Sequence, residues 1–177
     1  MYGRVDGTSP YSLVFTDSSL AMTTTLTTGI SEGTTYDYVY EACNSFGCSG
    51  NSPMTTVLAA DVPTELGMAT TANSGTDVII SWPLTADDMG SSVTSYYVTV
   101  KAFDGSYKPY LTTCDGSTSG IFTSRSCTIA MSVLTSSPFS IPEGTLIVAS
   151  VSAINAHGTS TQSPDNTGGA YAALVPD

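Results

Sequence analysis

Asn44-Ser-Phe-Gly47-Cys-Ser49-Gly-Asn-Ser52-Pro53 returns further along the chain as Asn155-Ala-His-Gly158-Thr-Ser160-Thr-Gln-Ser163-Pro164. The two stretches stand 111 positions apart (155 − 44) and keep the Asn, the Gly, both Ser and the Pro in step. Upstream, Ile30-Ser-Glu32-Gly33 matches Ile141-Pro-Glu143-Gly144 at the same offset, and Leu20-Ala-Met22 echoes Ile129-Ala-Met131. Self-similarity at the period of one small domain marks a single module used twice in tandem. It divides the 177 residues into 1–60 and 61–177. The second copy has a whole domain's length in front of its phrase, and the first has only half.

Composition narrows the class. Hydrophobic residues make up 41% and charged residues 11%, so a core is affordable while the surface must be polar without being ionic. Serine and threonine supply that polarity, at roughly 30% of the chain and well above ordinary usage. Such a surface suits extracellular β modules and offers many O-glycan acceptors. No Asn-X-Ser/Thr sequon occurs, since Asn44, Asn51, Asn73, Asn155 and Asn166 all fail at the third position. Net charge is −11, with Arg4, Lys101, Lys108 and Arg125 the only cations of Lys or Arg type. Nucleic acid and anionic membrane surfaces demand the opposite sign and are not expected partners. No apolar run approaches a membrane span, and the start shows no basic stretch followed by an apolar one. Membrane insertion is not expected.

The four cysteines form two local pairs. Cys43 and Cys48 bracket the Asn-Ser-Phe-Gly connection, and Cys114 and Cys127 bracket a Gly/Ser/Asp-rich loop. Two disulfides, 43–48 and 114–127, are the simplest reading, and they imply an oxidising compartment, hence a secreted or cell-surface location. A metal site using all four thiolates is the rival, without CxxC spacing to support it; free buried thiols are the other.

Helix signals are nearly absent, because no segment keeps an i, i+3, i+4 apolar stripe beyond one turn. Alternating β-branched and aromatic residues predict strands instead. In the second copy these run near Leu66–Thr70, Asp77–Pro83, Val93–Ala102, Lys108–Leu111, Cys127–Leu134, Thr145–Ile154 and Ala170–Val175. Lys108-Pro-Tyr110-Leu111 contains proline, which suits an edge. Seven short strands with turn chemistry between them describe a two-sheet sandwich.

The order Pro63, Trp82 on the second strand, Tyr96-x-Val98-x-Val100 on the third, Leu134, and a strand ending Ala-x-Asn-x-x-Gly-x-Ser resembles a fibronectin type III module. The resemblance covers roughly residues 62–175 in full and 2–60 as the later part of a preceding module. It implies an all-β fold of tandem immunoglobulin-like sandwiches, the first incomplete. It places Tyr36, in Tyr36-Asp-Tyr38-Val-Tyr40-Glu-Ala42-Cys43-Asn44, at the family's corner tyrosine on the sixth strand. The second copy departs there, carrying Ile147, so that corner hydrogen bond must be replaced. The disulfides are additions to the usual pattern.

The plain reading of these residues is structural. Trp82 is the core anchor between sheets, Gly47 and Gly158 supply positive φ in a hairpin turn, and Asn44 and Asn155 satisfy loop backbone groups. Ala59-Ala-Asp61-Val-Pro63 reads as a linker that recurs at Ala172-Ala-Leu174-Val-Pro176-Asp177.

No catalytic constellation is visible, and no enzyme activity or cofactor is expected. The single histidine, His157, falls in a predicted turn, a poor mount for general-base chemistry. Phosphate-loop, HExxH and EF-hand patterns are absent. Asp87-Asp88, with Asp61 and Glu65 by the linker, offer hard oxygen ligands for calcium, but solvated loop acids are the expectation and no metal site is assigned.

The half module at the front is the best functional clue. With Met1 aligned to Thr112, the first copy lacks its first three strands and keeps an edge strand near Tyr11–Phe15, then Leu20–Leu26, Thr34–Cys43 and Pro53–Ala60. Tyr36, Tyr38, Val39 and Tyr40 would then be exposed beside unpaired backbone groups as a self-association edge. About 60 residues of incomplete sandwich bury too little surface to stand alone. The missing strands lie upstream in the same polypeptide, come from another subunit by β-augmentation, or are made unnecessary by rearrangement. The first two lead to an extracellular filament or fibre of stacked β modules that self-associates into a homopolymer. The alternative is an adhesion or ligand-binding module, whose loops 85–92, 103–107 and 115–125 would form a recognition end with Tyr97, Phe103, Tyr107 and Tyr110. A spacer in a secreted carbohydrate-active enzyme is a third reading.

Overall fold

The computed structural model describes residues 1–7, 10–18 and 23–173. The Leu20–Met22 echo, Leu174 and Val175 of the closing strand, and Pro176-Asp177 of the second linker lie outside them. The chain forms two compact units, Met1–Ala60 and Asp61–Asp177.

The first unit is a single antiparallel sheet plus a hairpin. Its strands are β1 (Tyr2–Val5), β2 (Ser12–Leu13), β3 (Thr35–Val39) and β6 (Thr55–Leu58), ordered β2-β1-β3-β6. β4 (Cys43–Asn44) and β5 (Gly47–Cys48) pair as the hairpin. Thr35-Tyr-Asp-Tyr-Val39 is β-branched and aromatic around one acid, and it takes the centre of the sheet. Gly3 sits opposite Tyr38, where a Cβ would come 2.8 Å from the Tyr38 ring. The missing side chain lets that ring lie across β1.

The second unit has the two sheets of a sandwich. One is ordered β12-β8-β7, from β7 (Thr70–Ser74), β8 (Asp77–Ser81) and β12 (Ser126–Ala130). The other is ordered β10-β9-β13-β14, from β9 (Ser95–Lys101), β10 (Tyr107–Pro109), β13 (Ala149–Asn155) and β14 (Gly158–Thr159), with β11 (Asp115–Gly116) also on β9. Alternation along the strands sends Val78, Ile80, Trp82, Tyr96, Val98, Val100, Ile129, Ala149 and Val151 into one core, all at most 5% exposed. Trp82 meets Tyr96 edge-on, and Tyr96 packs against Phe122.

The strand expected over Leu66–Thr70 is found at Thr70–Ser74, and the closing strand is, among the described residues, a single bridge at Tyr171. Three further differences from the expectations stand out. Short helices α1 (Leu111–Cys114), α2 (Ser119–Ser124) and α3 (Met131–Leu134) occupy the crossover, so the strand expected over Cys127–Leu134 stops at Ala130. One or two turns are too few for a periodic stripe to register. The expected strand 20–26 is absent over its described residues, 23–26. The third difference concerns the front unit. The run β2-β1-β3 has the same order and antiparallel pairing as β10-β9-β13, so a strand in the place of the expected third one is present. Unit one keeps a whole sheet, and what it lacks among the described residues is any match for β12-β8-β7. A central strand needs backbone partners on both edges, and Tyr2–Val5 supplies one set.

Candidate functional site

The repeated phrase makes the same hydrogen bonds in both units. In the second, Ser160 N–H donates to Ala153 O at 2.9 Å while the Ser160 hydroxyl accepts from Ala153 N–H at 3.0 Å. Ser163 does the same to Val151, at 2.9 and 3.1 Å. In the first, Ser49 pairs with Ala42 at 2.8 and 3.0 Å, and Ser52 with Tyr40 at 2.8 and 3.0 Å. Each hydroxyl then donates to a following carbonyl, of Gly50, Pro53, Thr161 or Pro164. The Ser-x-x-Ser-Pro spacing therefore lines an irregular last strand with side-chain acceptors. Gly47 and Gly158 have φ of 147° and 143°, a region closed to most side chains.

Asn155 ties the second unit together. Its Nδ2 donates to the carbonyls of Asp61 at 2.7 Å, Asp88 at 3.1 Å and Ser91 at 3.2 Å, and its Oδ1 accepts from His157 and Gly158 N–H. Asn44 keeps the turn bond, from Phe46 N–H at 2.9 Å, but is itself exposed. Among the described residues of the first unit, no loop carbonyls are gathered by Asn44 in the same way.

That contrast extends across a whole face. At the offset of the repeat, Tyr36, Tyr38 and Tyr40 correspond to Ile147, Ala149 and Val151, each 0% exposed beneath the second sheet. In the first unit Tyr36 is 9% exposed, Tyr38 half-buried and Tyr40 65% exposed, and Val5 and Val57 share the face at 44% and 48%. A groove of about 420 Å³ runs over it, lined by Tyr36, Tyr38, Tyr40, Val57, Leu26 and Ile30. Tyr36 is fixed as a corner tyrosine, accepting from Ser31 N–H at 2.9 Å and donating to Gly29 O at 3.5 Å. In the second unit, the Ile147 carbonyl instead accepts from Thr71 and Asn166 side chains.

The expected edge at Tyr36, Tyr38, Val39 and Tyr40 is thus corrected. β3 is bonded to β1 on one side and β6 on the other, and Val39 is 5% exposed. What stands open is the sheet's face.

The opposite face carries a polar clasp that sequence reading missed. Asp37 is 0% exposed and accepts from Thr56 Oγ1 at 2.8 Å and from Arg4 Nε at 3.1 Å. Arg4 also lies over the Tyr11 ring at 4.5 Å. The Thr56 hydroxyl foremost, with Arg4, holds the Asp37 carboxyl below its ordinary range in spite of burial. An acid in mid-strand in a chain with four Lys and Arg residues was the signal available.

Both disulfides form, Cys43–Cys48 and Cys114–Cys127. The loops expected to form one recognition end do not converge. Thr94 at the end of loop 85–92 bonds Ile154, whereas Phe103 beside loop 103–107 bonds Phe139, at opposite ends of β9. Tyr107 donates to Asp165, which also holds Lys101 at 3.1 Å, and Tyr110 packs on Phe139. Phe103 and Tyr97 remain exposed at 72% and 40%. Asp61, Asp87 and Asp88 accept from neighbouring N–H groups as turn acids do. Among the described residues, no hydrogen bond joins the His157 side chain to an acid or hydroxyl.

No family model matches the sequence, and no curated protein is similar to it. Among solved structures, domains A168–A170 of titin superpose with a TM-score of 0.51 at 18% identity, covering 93% of this chain and 51% of that one. The fold is of the immunoglobulin/fibronectin type III kind. The chicken CNTN1 FN1–FN3 domains give 0.45 at 17% identity, over 76% of this chain and 42% of that one. Titin kinase with its flanking domains gives 0.45 at 21%, over 61% and 17%. The chain spans about half the length of the titin A168–A170 structure and less of the other two. No helix among the described residues is long and apolar enough to cross a membrane.

Proposed function

We propose that this chain is a structural subunit of an extracellular filament built from fibronectin type III-like modules in tandem, one whole and one half. In this reading the face bearing Tyr36, Tyr38 and Tyr40 is closed by a neighbouring subunit, which contributes strands in the role that β12-β8-β7 play in the second unit. The observation that carries it is that Tyr40, Val5 and Val57 are exposed and Tyr38 only half-buried on this face, where Ala149 and Val151, the counterparts of Tyr38 and Tyr40 in the repeat, are fully buried. An uncharged, Tyr- and Val-lined sheet face is what the inside of a sandwich looks like before its second layer arrives. A contact that is head-to-tail and does not close on itself yields a fibre. The two disulfides suit a secreted setting, and the Ser/Thr-rich surface suits O-linked glycans. A module of this kind is non-catalytic. The adhesion reading has the exposed Phe103 and Tyr97 in its favour, but its three loops do not share one end.

Sedimentation of the full chain across micromolar concentrations, with electron microscopy of the same samples, tests this. Concentration-dependent growth into fibres is expected, and Val57→Lys or Tyr40→Glu should stop it while Trp82 fluorescence stays native. A monodisperse monomer at every concentration overturns the filament and leaves adhesion as the better reading.

A further inference from the structure

The hairpin β4–β5 is built twice in this molecule, once with cysteines and once without. Where Cys43 faces Cys48, the second unit sets Ile154 opposite Thr159 in the same register, with the same Asn and Gly at the turn. The second hairpin holds this register without a disulfide, with Asn155 tying its turn to three loop carbonyls. What the first copy adds is a group of three metal-ligating side chains. Ligand atoms of Glu41, Cys43 and Cys48 all lie within 4.8 Å of one another. Cys43 and Cys48 are both exposed, whereas Cys114 and Cys127 are 1% and 5% exposed. A small dithiol can attack the exposed bond, forming its own cyclic disulfide and leaving Cys43 and Cys48 as two thiols. The hairpin would keep its shape, because Ser49 with Ala42 and Asn44 with Phe46 bind it through backbone and side-chain contacts that involve no sulfur.

We propose that the reduced hairpin is a site for a zinc-type divalent ion, held by the Cys43 and Cys48 thiolates and the Glu41 carboxylate, with water in a fourth position. Two sulfurs and one oxygen select Zn²⁺ or Cd²⁺ over Ca²⁺ and Mg²⁺, which take oxygen ligands. Binding releases one proton from each thiol to solvent, so uptake weakens in acid. This site is separate from the four-thiolate arrangement considered for the sequence, since Cys114 and Cys127 are bonded to each other in the second unit.

The test uses the full chain, treated with a dithiol in the absence of denaturant and then freed of it without air. Mass after alkylation should show two modified cysteines and two protected ones. Titration with Cd²⁺ alone, followed by thiolate-to-metal charge-transfer absorption, should give one ion per reduced chain and none per oxidised chain. Zn²⁺ in excess should compete with it and Ca²⁺ should not. Glu41→Gln should weaken binding on the order of tenfold or more with both thiols intact, and Cys43→Ser with Cys48→Ser should abolish it. Simultaneous reduction of all four cysteines, no Cd²⁺ uptake, equal uptake by the oxidised chain, or unchanged affinity in Glu41→Gln each overturns the proposal.

Discussion

Ser160 and Ser163 show how much a hydroxyl can carry. Each accepts from a buried N–H of β13, so alanine leaves that donor without a partner. Ser160→Ala or Ser163→Ala should cost about 1–3 kcal/mol each, read from denaturant unfolding of the second unit. Ser49→Ala and Ser52→Ala should cost less, because their bonds are exposed to water. Trp82 poses the opposite case, since its buried indole N–H has no hydrogen-bond partner among the described residues. Trp82→Ala should cost on the order of 3–5 kcal/mol. Trp82→Phe should cost far less, since no bond is lost; parity between the two would remove the indole from its place as core anchor. Asp37 adds a dependence on pH. Its carboxyl lies lower in the folded state than in the unfolded one, so its contribution is present above the ordinary carboxylate range and is lost as pH falls through and below about 4. Protection factors of the β3 amides, corrected for the intrinsic exchange rate at each pH, should therefore fall in acid, and Asp37→Asn should flatten that dependence.

At the scale of elements, β8 and β9 were legible because period-2 alternation and core burial coincide at Val78, Ile80, Tyr96, Val98 and Val100. The hairpins were legible too, as the Asn-x-x-Gly phrase specifies both turn bond and positive φ. β1 was not, since Tyr2-Gly-Arg-Val5 is only four residues long, is interrupted by a glycine, and takes its place through β3. Tyr36 was found as a corner residue, yet its strand was read as an edge. Nothing in Thr35–Val39 announces that neighbours as distant as Tyr2 and Leu58 will pair with it. The crossover between β9 and β13 stayed opaque because three helices of four to six residues carry almost no pattern. The Cys114–Cys127 bond gathers that region, joining the end of α1 to β12. Its loss should destabilise the second unit by about 3 kcal/mol, the loop-closure value for a loop of this size; a matched pair of oxidised and Cys114→Ser/Cys127→Ser chains in chemical denaturation measures it.

For the molecule as a whole, the repeat in the sequence leads one to expect a module used twice, and the two units differ most in how their central sheets are covered. Among its described residues the first unit has one four-stranded sheet and no second sheet packed over it. Were units of this kind pulled end to end, the buried disulfide would limit how far the second unit could extend. The Cys114–Cys127 bond spans 13 residues. Pulled out straight, those residues would add about 45 Å at roughly 3.5 Å each. Single-molecule stretching should therefore show a longer unfolding step, by that amount, once the bond is cut. An oxidised strand of such modules would be a tether with a built-in stop, reaching its limit sooner and returning more readily to its starting length.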